Sequence, residues 1–286
     1  MTGRVASLLV LVALIAADGA AGSALDGWKH VRIERRSGDV AAVLTYESRP
    51  TTAVVEAGVR DARLVVREHG QTVVESAVRV AGAQELTLRL LDVWGSAEPE
   101  ALVGIASCGN RCGVRLALAT VSHGRGRLIT HDFGGAWPGP DAWTGQRRGG
   151  QFYFVSRDQR FFCNFSDCAS ATTPVQVFVV DRAGTRLVDV TRMRIDLVAR
   201  DATQLFRGYT DEIRLKEYGT KTRGGYGPLG LLAPWCADEF LLGKSETCRT
   251  TLARARERGY VNASNGGTRQ AVASLYAQLR AWGYDR

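Results

Sequence analysis

Asp92, Glu98 and Glu100 fall within the nine residues "DVWGSAEPE", and His131 and Asp132 stand side by side in "GRLITHDF". Carboxylates and an imidazole of this kind, set near an aromatic-lined cleft, can do acid and base work on a glycan. Directly after them comes "GAWPGPDAWTG", with Trp137 and Trp143, followed by Arg147, Arg148 and Tyr153. Exposed rings beside guanidinium groups would make a flat cationic surface for sugar rings or for an anionic wall polymer, through stacking and charge. No G-x-S-x-G elbow, H-E-x-x-H helix or P-loop accompanies these residues. Nothing in the spacing fixes their mutual geometry, so no catalytic residue is assigned. Binding is favoured over catalysis, and the alternative is an exported hydrolase acting on a surface polysaccharide or peptide.

The compartment is read from the start of the chain. Arg4 precedes the apolar run Val5 to Ala17, and small residues follow in "DGAAGSA". This is the order of a signal peptide, with cleavage expected after Ala24, and the run is short of the roughly 20 apolar residues a spanning helix needs. A secreted or cell-surface protein is expected, with no transmembrane segment after cleavage. The net charge is +8, and the basic residues are scattered apart from short clusters at 32 to 36, 146 to 148 and 249 to 259. Such scatter reads as a solvated surface, and no nucleic-acid partner is expected. No feature of the sequence sets an oligomeric state.

Six cysteines in an exported chain point to disulfides. They form three close pairs, Cys108 with Cys112, Cys163 with Cys168, and Cys236 with Cys248, and the grouping favours three local bridges. A zinc site lacks a C-x-x-C knuckle, and the four histidines lie far from the cysteine pairs in sequence.

The elements that must position these residues are mainly strands. "VAAVLTYES", "ARLVVREHG", "TVVESAVRV" and "ELTLRLLDV" alternate or run apolar, and a hairpin turn is expected at His69 and Gly70. Further strands are expected at "EALVGIAS", "GVRLALATVS", "GRLITHDF", "QFYFVSR", "RFFCNF", "VQVFVVDR" and "TRLVDVT". After Thr191 the period becomes helical in "RIDLVARDATQLFRGYTDEI". A Gly- and Pro-rich loop, "YGTKTRGGYGPLGLLAP", follows, and two more helices are expected around residues 237 to 259 and 268 to 283. The fold class is thus mainly β with an α-helical C-terminal part, divided into a signal peptide (1 to 24), a β-rich domain (25 to 195) and a helical cap (196 to 286).

The stretch "DVWGSAEPEALV" resembles the calcium loop of integrin-type FG-GAP or VCBS repeats, D-x-D-x-D-G followed by x-P-E and a strand. In that resemblance Asp92, Ser96 and Glu100 are the oxygens left to offer a calcium ion, which wants six to eight of them, and Trp94 stands where a second acid belongs. A second copy, "GQRRGGQFYFVSRDQRF", puts Gly145, Arg147, Gly149 and Tyr153 at the ligand positions, and an arginine there argues against metal. The two degenerate repeats lie at about 90 to 108 and 145 to 161, and the likeness extends over roughly 60 to 250 through "HDFG" and "VDVTR". The resemblance implies antiparallel, propeller-like hairpin units, which the helical period read above would cap with about three helices, together with calcium as the one cofactor to consider and binding rather than catalysis. Two copies are too few for a closed propeller.

Overall fold

The computed structural model describes residues 27–50, 58–96, 98–107, 113–122, 125–135, 144–162, 164–165, 172–217, 227–261 and 268–285. The expected signal peptide therefore lies outside the described residues, as do Cys108, Cys112, Cys163, Cys168, Trp137 and Trp143.

Among the described residues twelve strands form three four-stranded antiparallel sheets, taken up in chain order. The first holds β1 (Lys29–Ser37), β2 (Val40–Arg49), β3 (Gly58–Glu68) and β4 (Gln71–Ala77). Alternation drives it: Val40, Ala42, Leu44 and Tyr46 point inward from β2, and the residues between them are half-buried. The β3–β4 hairpin turns at His69 and Gly70, whose φ values of 48 and 79 are those of a two-residue turn matched to strand twist.

The second sheet holds β5 (Glu85–Leu91), β6 (Glu100–Ser107), β7 (Gly113–Ser122) and β8 (Arg125–Gly135). It is the middle layer, and its side chains divide between two cores. Ala101, Val103 and Ile105 of β6 join the core shared with the first sheet, while Leu102 joins a core with Leu116, Leu118, Ile129 and Phe133 that faces the third sheet. Covering on both faces explains why "EALVGIA" reads as a continuous run rather than an alternation. The edges of the first two sheets also meet, β1 beside β5 and β4 beside β8. At the latter seam a side chain on Gly126 would begin 1.9 Å from the Val73 carbonyl oxygen, so only glycine fits.

The third sheet, ordered β12-β11-β10-β9, comprises β9 (Thr144–Arg148), β10 (Gln151–Arg157), β11 (Val175–Val180) and β12 (Leu187–Asp189). Phe152, Phe154, Phe178 and Val180 pack on the second sheet, and Val175 and Val177 pack on Leu197 and Val198 of the helical layer. That layer contains α1 (Ile195–Glu217), α2 (Gly227–Leu241), α3 (Ser245–Glu257) and α4 (Thr268–Ala281), and the Cys236–Cys248 disulfide joins α2 to α3.

Three expectations about elements are corrected. The described residues of "RFFCNF" hold no strand: Asp158 caps a 3-10 turn over Gln159–Phe161 by accepting from the Arg160 N–H, which swings Phe161 into the helical core. The C-terminal half of the expected loop 218 to 234 is helical, because α2 buries its residues on nearly every side and this outweighs Pro234 in its interior. The expected helix over 237 to 259 is two helices, since Gly243 at φ 71 closes α2 with the Lys244 N–H donating to Glu239 O at 2.7 Å. Among the described residues four helices thus lie after Thr191 where about three were expected. The two FG-GAP-like stretches also take different shapes: residues 92–99 link β5 to β6, whereas 145–161 is the β9–β10 hairpin, turning at Gly149 and Gly150, and its 3-10 extension.

Candidate ligand pocket

The β5–β6 connection is built around two carboxylates with opposite surroundings. Asp92 accepts from the Gly95 N–H, a local turn that needs the positive φ of Gly95. Glu100, only 8% exposed, accepts from the Val93 N–H at 2.7 Å. Val93 is buried toward the third sheet, and the next side chain, Trp94, is left 39% exposed. Ser96 donates its hydroxyl to the Glu98 carbonyl at 3.1 Å.

Arg147 reaches into this loop from β9. Its guanidinium donates to the Asp92 carbonyl, lies 3.1 Å from the Asp92 carboxylate and donates to Gly150 O at 2.9 Å. Asp92, Ser96 and Glu100 therefore each have a different partner, and a built-in cation already faces the Asp92 oxygens. This donor set does not fit calcium, which takes six or more oxygens around one point. Among the described residues no group of three or more His, Cys, Asp and Glu is arranged to hold a metal ion.

Beside the loop, between the first and second sheets, lies a cavity of about 410 Å³. Glu68 of β3, Trp94, Glu98 and Glu100 supply its functional groups, and Val66 and Val121 are among its apolar lining residues. Its lining includes no arginine or lysine among the described residues. Burial raises the Glu100 carboxyl from 4.5 to about 7, helped by the negative charge of Asp92 and opposed by the Val93 N–H. Burial also raises Glu68, and the charge of Glu98 adds to this. His69, in the β3–β4 turn, stands at the rim 3.7 Å from Glu98 and 3.2 Å from Asp39.

The other residues singled out in the sequence lie elsewhere. Arg148 pairs with Asp196 at the start of α1, and Arg194 binds the same carboxylate and lies 4.1 Å over the Tyr153 ring. The hydrogen bond from Arg194 is the main cause that lowers Asp196 to about 2. Arg147, Arg148 and Tyr153 are thus engaged within the protein. His131 packs between Phe133 and Phe178, each ring 4.6 Å away, and burial lowers its pKa. Asp132 accepts from the Gly134 N–H at 2.8 Å. Neither His131 nor Asp132 lines the cavity. Sequence reading overlooked Glu68, because no local pattern connects residue 68 to residues 94–100; only the packing of two sheets does. Trp94 was visible, but as a lost ligand rather than a pocket wall.

Comparisons of the chain with protein-family models, with curated proteins and with solved structures return no match.

Proposed function

We propose that this is a secreted, disulfide-stabilised binding protein whose ligand is a carbohydrate, seated in the cavity formed by Glu68, Trp94, Glu98 and Glu100. The observation that carries the reading is the pairing of a part-exposed tryptophan with three glutamates in one cavity of about 410 Å³, a size within the usual range for small-molecule sites. An indole face offers a flat apolar surface to the C–H face of a sugar ring. Carboxylate oxygens only accept hydrogen bonds when ionised, so they suit ligands rich in hydroxyl groups. The same charges repel an anionic polymer, which turns the expected partner from an acidic wall polymer toward neutral or amino sugars.

A titration of the mature protein with soluble neutral oligosaccharides tests this. Saturable binding that Trp94→Ala weakens by tenfold or more, roughly the 1.4 kcal/mol expected of one good aromatic contact, supports the reading. Equal binding by both proteins, or none by either, defeats it.

Hydrolysis is the second reading, favoured by one observation: Glu100, raised to about 7, shares the cavity with Glu68 and Glu98. A carboxyl that keeps its proton near neutrality is suited to act as a general acid. Release of reducing ends from the bound glycan, abolished in Glu100→Gln, is the result that would promote it over simple binding.

A further inference from the structure

Asp238 sits on α2 with no exposed surface, and among the described residues neither of its carboxyl oxygens meets a hydrogen-bond donor. The group within hydrogen-bonding reach is the carboxyl of Asp201 on α1, itself an acceptor and only 5% exposed. Asp201 is committed to the third sheet: Arg157 of β10 donates to its two oxygens at 2.6 and 2.7 Å, and the Val175 N–H of β11 donates at 2.9 Å. Two buried acceptors that face each other are satisfied only if a proton lies between them. The guanidinium of Arg157 is held on the Asp201 side, which leaves the proton with Asp238.

The other ionisable groups around Asp238 do not relieve it. Glu239 adjoins it on α2, and Tyr284 approaches from the C-terminal segment. The Tyr284 hydroxyl donates to Asp158 at 2.6 Å, and Asp158 is also bound by Arg160. We propose that Asp201 and Asp238 form a proton-sharing acid pair that locks α1 and α2 onto the third sheet, and that loss of this proton as pH rises loosens the helical layer.

Burial and the neighbouring Asp201 charge both hold the Asp238 carboxyl well above the ordinary carboxylate range. A group whose folded pKa is raised contributes stability that is complete in acid and lost as pH rises through the folded value. The expected melting temperature therefore falls as pH rises from the ordinary carboxylate range toward the raised value, and Asp238→Asn, whose amide can donate to Asp201, flattens that fall. The infrared difference spectrum between the wild-type protein and Asp238→Asn, taken just above the ordinary carboxylate range, should carry the carbonyl band of one buried protonated carboxylic acid, since the band of Glu100 is common to both and cancels. Should the variant not fold, hydrogen exchange of the wild-type protein decides: as pH rises, α1 and α2 amides should lose protection before those of β6, after correction for the intrinsic rate. Absence of the infrared difference band, parallel melting curves of the two proteins against pH, or simultaneous loss of protection in α2 and β6 would overturn the proposal.

Discussion

Glu100 is one of the three oxygens that the sequence offers to a calcium ion, and in the fold it has a backbone N–H as its partner. Its oxygen was legible as a ligand in "DVWGSAEPE", and the fold turns that oxygen onto the Val93 N–H and buries it at the pocket wall. Because the folded carboxyl titrates near 7 and the unfolded one near 4.5, the folded state is progressively penalised as pH rises between these values. The full penalty is about 3 kcal/mol from the size of the shift. Glu100→Gln keeps an acceptor and removes the charge, so it should stabilise the protein above neutrality by up to that amount and change nothing in acid, read from denaturant melts at two pH values. Arg147 makes a complementary prediction. Its guanidinium supplies the positive charge at Asp92, so the melting temperature should be the same in millimolar calcium as in EDTA, whereas a bound ion at 100 times its dissociation constant would add roughly 2.7 kcal/mol. Arg147→Ala should cost only about 1 kcal/mol, since the pair is partly exposed.

At the scale of elements, local patterns were most informative where they are governed by neighbours in sequence. The His69–Gly70 turn, the alternation of β2 and the helical period of α1 were all readable, because a two-residue turn and a periodic face need no distant partner. β9 was not readable: "TGQRR" has little apolar content, and it is a strand because β10 pairs with it. α2 failed for the converse reason, since its glycines and prolines signal a loop and only burial against α1 and α3 makes it a helix. Of the three expected bridges, Cys236–Cys248 is formed, between two cysteines with no exposed surface. Its sequence separation of 12 corresponds to a stabilisation of about 3 kcal/mol on the loop-entropy model. Reduction, or Cys236→Ala with Cys248→Ala, should therefore lower the melting temperature by several degrees and leave sugar binding at the distant pocket unchanged.

At the scale of the whole molecule, the chain stacks three sheets and a helical layer in order, so that the pocket lies between the first two layers and the acid pair between the last two. The fold class, and the passage from a β-rich part to a helical part after Thr191, were legible from hydrophobic periodicity. The pocket was not, because it joins β3 to a loop whose residues lie some 30 positions further along the chain. Among the described residues no helix is long and apolar enough to cross a membrane. The chain is basic overall at +8, yet its proposed ligand seat is lined by glutamates, so charge at the site and charge of the molecule make opposite demands on a partner. This contrast sets the most direct measurement: calorimetric titration of the wild-type protein and Trp94→Ala with matched neutral and sulfated oligosaccharides. Pocket binding predicts that the wild-type protein prefers the neutral series and that Trp94→Ala loses that preference. Tighter binding of the sulfated series, unaffected by Trp94→Ala, would place recognition on the basic exterior and contradict the assignment.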